Sequence, residues 1–366
     1  MAKLTPQKKI GRGGKPTPRR RGKVAPLIRA LREFRLARGI EPSDPAFKRV
    51  GLNVPSIERI ESGQNQPNLD TLERYAEAVG FDLAVRERIE DEGVTNLQLA
   101  LPQAKIIALF NHAGGVGKTS LTRDVGYMLH LLGFRVLLID MDPQTNLTSW
   151  LKVPRPVRDE QTVALTINGP DVEPKLPKPF RLYGLDVIAS NLELANLDGI
   201  SIIGRTRRLN HALRQLKTYD FVLLDSGPSL ANLSYIALAS ADVLIVPMPV
   251  AEKGIEALPG VVRQMERAKM EFNPNLKIAA FILTQFDQKT TIDQVKLEEI
   301  REICSPIAPV LGPLNDYAIY REATSLGEPV PHYATEHKAT EQLRQVTAQL
   351  LVALGVGQGV AERTPA

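Results

Sequence analysis

The segment Gly114-Gly-Val-Gly-Lys-Thr119 constrains this chain more than any other feature. It lies between an apolar run, Ile106–Phe110, and a stretch with Leu121, Val125, Met128, Leu129 and Leu132 at helical spacing, closed by Gly133. Glycines let successive backbone N–H groups wrap an anion, and the positive end of a helix dipole adds to that field. A strand, a glycine turn and a helix in this order are the context a phosphate-binding loop requires. The expected ligands are the phosphates of ATP or ADP, held by Gly114, Gly115, Val116, Gly117, Lys118, Thr119 and Ser120. Lys118 would reach the β- and γ-phosphates, and the Thr119 hydroxyl would hold Mg²⁺. The common loop pattern places a glycine five residues before Gly117. His112 stands there, so this is a variant with a Gly-Gly pair close to Gly-Lys-Thr.

From Lys105 onward, short apolar runs alternate with amphipathic stretches. The strand candidates are Ile106–Phe110, Val136–Ile139, Leu185–Ala189, Phe221–Leu224, Val243–Pro247, Ile278–Leu283 and a weaker Val310–Leu311. Nearly continuous apolar strands separated by helices predict an α/β fold, a mostly parallel sheet with helices on both faces. Carboxylates stand at two of the predicted strand ends: Asp140 and Asp142 in Leu137-Leu-Ile-Asp-Met-Asp-Pro-Gln-Thr-Asn146, and Asp225 in Tyr219-Asp-Phe-Val-Leu-Leu-Asp-Ser-Gly-Pro-Ser229. Beside a phosphate loop, such ends can reach a metal ion and an attacking water. The alternative for Asp140 is a carboxylate that caps the turn at Pro143. Composition agrees with a protein that buries a sizeable core: 43% apolar and 24% charged residues. No uncharged apolar run approaches a membrane span. The single cysteine, Cys304, rules out a disulfide framework and a cysteine-held cluster. The compartment expected from this is the cytoplasm.

The charge of +5 is unevenly placed. Residues 1–23 carry nine lysines and arginines and no acid, so the rest of the chain is net negative. With Gly11, Gly13, Gly14, Pro16 and Pro18 among them and no apolar period, residues 1–24 read as a disordered basic tail. Either it binds nucleic acid by counterion release, or it is a solubilising leader. Residues 25–92 read as a small all-α unit with helices at Leu27–Leu36, Pro42–Val50, Val54–Gly63 and Leu69–Val79, punctuated by Gly39, Asn68 and Gly80. Residues 93–103 read as a linker and 104–366 as the nucleotide domain.

The string SIERIESGQNQPNLDTLERYAEAVG resembles a lambda-repressor/Cro-type helix-turn-helix, which implies a third helix in the major groove carrying Ser56, Glu58 and Arg59. The basic residues of the unit cluster early (Arg29, Arg32, Arg35, Arg38, Lys48, Arg49, Arg59), which predicts a one-sided basic face. The alternative is a helical module for protein contacts.

NHAGGVGKTS, VLLIDMDPQTNLTSWL, LDVIASNLELANLD, YDFVLLDSGPSL and IYREATSLGEPVPHY resemble, in order and spacing, the segments of the ParA/MinD family of dimeric ATPases, and most closely its partition branch. The resemblance implies that Lys118 and Thr119 bind phosphate and Mg²⁺, that Asp140 and Asp225 support the Mg²⁺ shell, and that Asp142 positions the attacking water. That family places a lysine directly before the Gly-Gly pair, and Ala113 occupies the position here. Lys253 is the candidate to supply the missing charge, as in carboxysome-positioning relatives; the alternative is a solvated lysine at a helix start. Lys289 and Arg321 fall in segments that resemble the family's DNA-contacting region.

The function so implied is an Mg²⁺-dependent ATP hydrolase for plasmid or chromosome partition, weakly active alone. ATP closes a homodimer onto non-specific nucleoid DNA, a ParB-type centromere-binding protein stimulates release, and the helix-turn-helix represses an operon. The alternatives are a nucleotide-responsive repressor or an ATPase that positions a protein cargo. The end of the chain, Gly357–Ala366, lacks the basic amphipathic helix of MinD-type relatives, so no membrane partner is expected.

Overall fold

The computed structural model describes residues 26–65, 67–81, 83–86, 96–99, 101, 103–169, 173–199, 204–228 and 232–356. The basic tail, the acidic stretch 87–92 and the C-terminal residues 357–366 lie outside the described residues.

Four helices come first: α1 (Pro26–Ala37), α2 (Pro45–Arg49), α3 (Val54–Glu61) and α4 (Leu69–Val79). Their ends are set by local chemistry. The Asn53 side chain accepts from Ser56 N at the start of α3, and Asn68 accepts from Thr71 N at the start of α4. Gly80, at φ +91°, closes α4 in the left-handed conformation that glycine tolerates. The second helix is shorter than its apolar pattern predicts, because Asp44 caps it only at Pro45. Strands β1 (Leu83–Arg86) and β2 (Asn96–Leu99) then pair antiparallel, so the unit expected to be all-α ends in a strand and part of the expected linker is another.

The rest is a layered α/β unit. In chain order it contains β3 (Lys105–Leu109), α5 (Lys118–Leu131), β4 (Val136–Asp140), α6 (Asn146–Trp150), α7 (Ala164–Asn168), β5 (Phe180–Leu182), β6 (Leu185–Ile188), α8 (Arg205–Arg214) and β7 (Phe221–Asp225). It continues with α9 (Asn232–Ser240), β8 (Val243–Pro249), α10 (Glu252–Glu271), β9 (Lys277–Thr284), α11 (Thr291–Cys304), β10 (Val310–Leu311), α12 (Ile319–Leu326), α13 (Val330–Tyr333) and α14 (Lys338–Ala353). Eight strands form one sheet in the order β10-β9-β8-β3-β7-β4-β6-β5. All neighbours are parallel except β5, which pairs antiparallel with β6 at the edge.

Every expected strand is present. The addition to this sheet is β5, three partly to fully exposed residues turned back through Tyr183 and Gly184 at φ +51° and +78°. So short an edge strand carries no periodic signal.

Two apolar clusters cover the two faces of the sheet. Helix α5 approaches β4 so closely that a Cβ at Gly126 would stand 2.7 Å from Leu138. The N-terminal helices join one of these clusters instead of forming a separate core. Phe34 meets Phe81 at 4.3 Å between ring centroids, Phe81 meets Phe134 at 6.3 Å, and Phe134 meets Phe221 of the sheet at 4.9 Å. Helix α1 also packs on α14, with Arg29 paired to Glu336.

Candidate nucleotide site and nucleic-acid interface

Strand β3 lies at the centre of the sheet, between β8 and β7, and the glycine loop leaves its C-terminal end. Gly115 and Gly117 take φ of +66° and +99°, which turns the loop back on itself. Helix α5 starts at Lys118 with no side-chain cap, so its first N–H groups stay open to an anion. Neighbouring strands brace the loop. Thr284 Oγ1 donates to Val116 O at 2.9 Å, and Gln285 Nε2 donates to Gly115 O at 2.6 Å. Asn111 donates to Pro247 O on β8, while its Oδ1 accepts from Ala113 N. Lys118 is buried, and its Nζ donates to Asn111 O at 2.7 Å and Ala113 O at 3.0 Å. Burial lowers its pKa, opposed by the charges of Asp225 and Asp142.

Register explains why the carboxylates converge. Asp225 pairs with Leu109 of β3 on one side and with Asp140 of β4 on the other. Asp140 is spent locally: its Oδ1 accepts from Asp142 N at 3.1 Å, and its Oδ2 accepts from Thr148 N at 2.9 Å and Thr148 Oγ1 at 2.6 Å. Those bonds describe the turn-capping alternative. Burial pushes its pKa up to about 6 in spite of them. Asp142 accepts from Gln144 N, and Gly227 lets it lie close, since a Cβ there would stand 3.1 Å from Asp142 Oδ1.

Asp225 is different. Its Oδ1 accepts from Thr122 Oγ1 at 3.1 Å, and the Thr119 side chain lies close enough to favour the ionised carboxylate. Its Oδ2 is buried with no hydrogen-bond partner. Burial and the neighbouring Asp140 charge push its pKa well up. A buried carboxylate oxygen left open beside the charges of Asp140 and Asp142 is a setting that a cation would relieve. The orphan oxygen of Asp225 and the Thr119 hydroxyl fit Mg²⁺, which takes oxygen ligands and few protein ones.

Other candidates fall further out. Lys253 is exposed in the first turn of α10, at the same end of the sheet as the loop, next to Glu252, which pairs with Lys296. Lys289 and Arg321 lie on adjacent exposed segments, joined through Phe286 N to Leu314 O and Asp316 N to Phe286 O. Acids lie beside both: Asp287 accepts from the backbone N of Lys289, and Arg321 pairs with Asp316.

On α3, Ser56 is spent on the cap through its backbone, Glu58 is exposed, and Arg59 Nε curls onto Pro55 O. Part of the expected basic face is engaged within the chain. Arg32 and Arg35 both pair with Glu61, Arg29 pairs with Glu336, and Arg38 donates to Val79 O. Those contacts hold the module together, and Arg32, Lys48, Arg49 and Arg59 remain its exposed early cations among the described residues.

The pattern missed the groups contributed by the end of β9 and by the segments that follow β9 and β10. A cavity of about 110 Å³ opens beside the loop, lined by Gly117, Ser120, Asp124, Gln285, Asp316 and Tyr320, among others. Gln285 takes φ +57°, a conformation that no composition signal marks.

Comparison with known proteins agrees with this geometry. A family described as an AAA domain matches residues 104–278, and one described as a helix-turn-helix domain matches residues 27–89. A cobyrinic acid a,c-diamide synthase from Mycobacterium smegmatis, solved with bound ADP and magnesium, superposes with a TM-score of 0.56 at 25% identity, covering 69% of this chain and 96% of that one. The Soj sporulation initiation inhibitor of Bacillus subtilis is 30% identical over 65% of this chain and 94% of its own length. The probable plasmid-partitioning protein ParA of Thermus thermophilus is 38% identical over 68% of this chain and 78% of its own length. Identity of that extent, on a sheet that carries its phosphate loop and carboxylates at one end, makes this chain a member of the ParA/Soj family of partition ATPases.

Proposed function

We propose that this protein is an Mg²⁺-dependent ATPase that partitions a plasmid or chromosome, acting in the cytoplasm on the nucleoid. The reading rests most on one observation: the buried, unpartnered Oδ2 of Asp225 beside the Thr119 hydroxyl, at the mouth of an uncapped helix that begins with Lys118. The loop N–H groups would bind the β- and γ-phosphates, with Lys118 released from its two carbonyls to meet them. Thr119 and Asp225 would hold Mg²⁺, which would neutralise charge on the transferring phosphoryl group. Asp142 would orient water for in-line attack, a role that needs position more than basicity. Asp140, saturated by Thr148 and Asp142 N, would act by fixing the Asp142 turn.

Around that cycle we place an ATP-closed homodimer, non-specific DNA as its track, and a ParB-type partner that triggers hydrolysis. Lys253 stands at the right end of the sheet to serve across such a dimer in place of the lysine missing at Ala113. The helix-turn-helix, through α3, adds operator binding. Its shared core with the ATPase favours repression that responds to nucleotide.

The test is binding to random-sequence duplex DNA at physiological salt with ATP, ADP or no nucleotide, with and without residues 1–24. ATP-dependent binding that survives loss of the tail supports partition. Binding indifferent to nucleotide moves the function to regulation. Lys118→Ala should lower ATP turnover by at least about 100-fold, and wild-type turnover in that variant would refute the assignment.

A further inference from the structure

Sheet order divides the surroundings of the loop in two. The carboxylates come from β4 and β7, on one side of β3, and the cavity is walled by residues that follow β9 and β10, on the other. A nucleotide whose terminal phosphates face Asp225 must therefore lay its nucleoside toward the cavity, past Gly117 and Ser120.

Most polar groups of that cavity are already spent. The Asp124 carboxylate accepts from Arg123 Nε and Nη2 and from Val330 N. Thr284 and Gln285 brace the loop, and Asn315 is paired with Gln342. The hydroxyl of Tyr320, on α12, is buried and has no hydrogen-bond partner. A hydroxyl left this way costs free energy unless something fills its valence.

We infer that the Tyr320 hydroxyl donates a hydrogen bond to the nucleoside half of the bound nucleotide and is a specificity-determining residue of the site. The inference rests on the reading of 114–119 as the phosphate loop. The surroundings suit a donor: burial and the Asp124 charge raise the pKa of the phenol, so it stays protonated at any physiological pH. The sequence marks the segment that holds this tyrosine but not its hydroxyl, which becomes an orphan only when α12 packs beside Asp124 of α5.

The experiment compares the full chain with Tyr320→Phe, an isosteric change. ADP and inorganic tripolyphosphate are titrated into each by calorimetry, and each is melted without nucleotide. The expected result is an ADP affinity lowered about tenfold, an unchanged tripolyphosphate affinity, and a nucleotide-free Tm that is unchanged or higher. ADP affinity within twofold of wild type overturns the inference. So does an equal loss for tripolyphosphate, or a lower nucleotide-free Tm, which would mean that the hydroxyl has a structural partner. If the wild-type chain binds neither probe, the phosphate-loop reading itself fails and takes this inference with it.

Discussion

Asp225 shows how one residue can set stability against function. Its carboxylate is fully buried, raised in pKa by burial and by Asp140, and one of its oxygens has no partner. A raised folded pKa means that the ionised form burdens the fold at neutral pH, so stability is lost as pH rises through that pKa. Asp225→Asn keeps an acceptor for Thr122 and removes the charge. It should raise the Tm of the metal-free protein by about 2 °C or more while lowering Mg²⁺-dependent turnover by at least about 100-fold. Melting with EDTA and a phosphate-release assay check the two halves, and a variant that loses both stability and turnover would mark Asp225 as structural. That the three aspartates sit at strand ends was legible from the apolar runs before them. Which of them is spent on Thr148 and which is left open was not, since Asp140 and Asp225 differ only in what the fold brings beside them.

At the scale of elements, the join between α1 and α14 is the part that sequence periodicity could not reach. Glu33 is half-buried there, and its pKa is raised by burial first and by Glu341 second, against the opposing charges of Arg32 and Arg344. The contribution it makes when protonated is present below the ordinary carboxylate range and lost as pH rises through its raised folded value. Glu33→Gln should therefore raise Tm at pH 7, and the gain should fade by about pH 4, where the wild-type carboxyl is protonated anyway. Equal gains at both pH values would contradict this. Capping, in contrast, was readable: Asn68 and Gly80 bound α4 as their types predict. Helix α5 is the opposite case: it starts after Gly117 without a side-chain cap, which leaves its first N–H groups open.

For the whole molecule, the helical module and the ATPase share one core through Phe34, Phe81, Phe134 and Phe221. Phe81→Ala should cost about 3–5 kcal/mol at that seam. Limited proteolysis should then cut between residues 82 and 104 far faster than in wild type while the ATPase core stays intact; an unchanged digestion pattern would show that the module is held by α1 and α14 alone. Sequence by itself determined the fold class, the phosphate loop, the strand-end aspartates and the helix-turn-helix. Each of these is a local pattern: a glycine spacing, an apolar period or, for the helix-turn-helix, a string that resembles a known motif. Only the tertiary structure decided that Arg32 and Arg35 pair with Glu61, that Asp225 keeps an open oxygen, and that the segments after β9 and β10, with α12, wall a cavity beside the loop. Those are facts of juxtaposition. A side chain's hydrogen-bonding capacity is written in its type, but whether that capacity is spent depends on partners that lie tens to hundreds of residues away and meet only when the sheet is assembled.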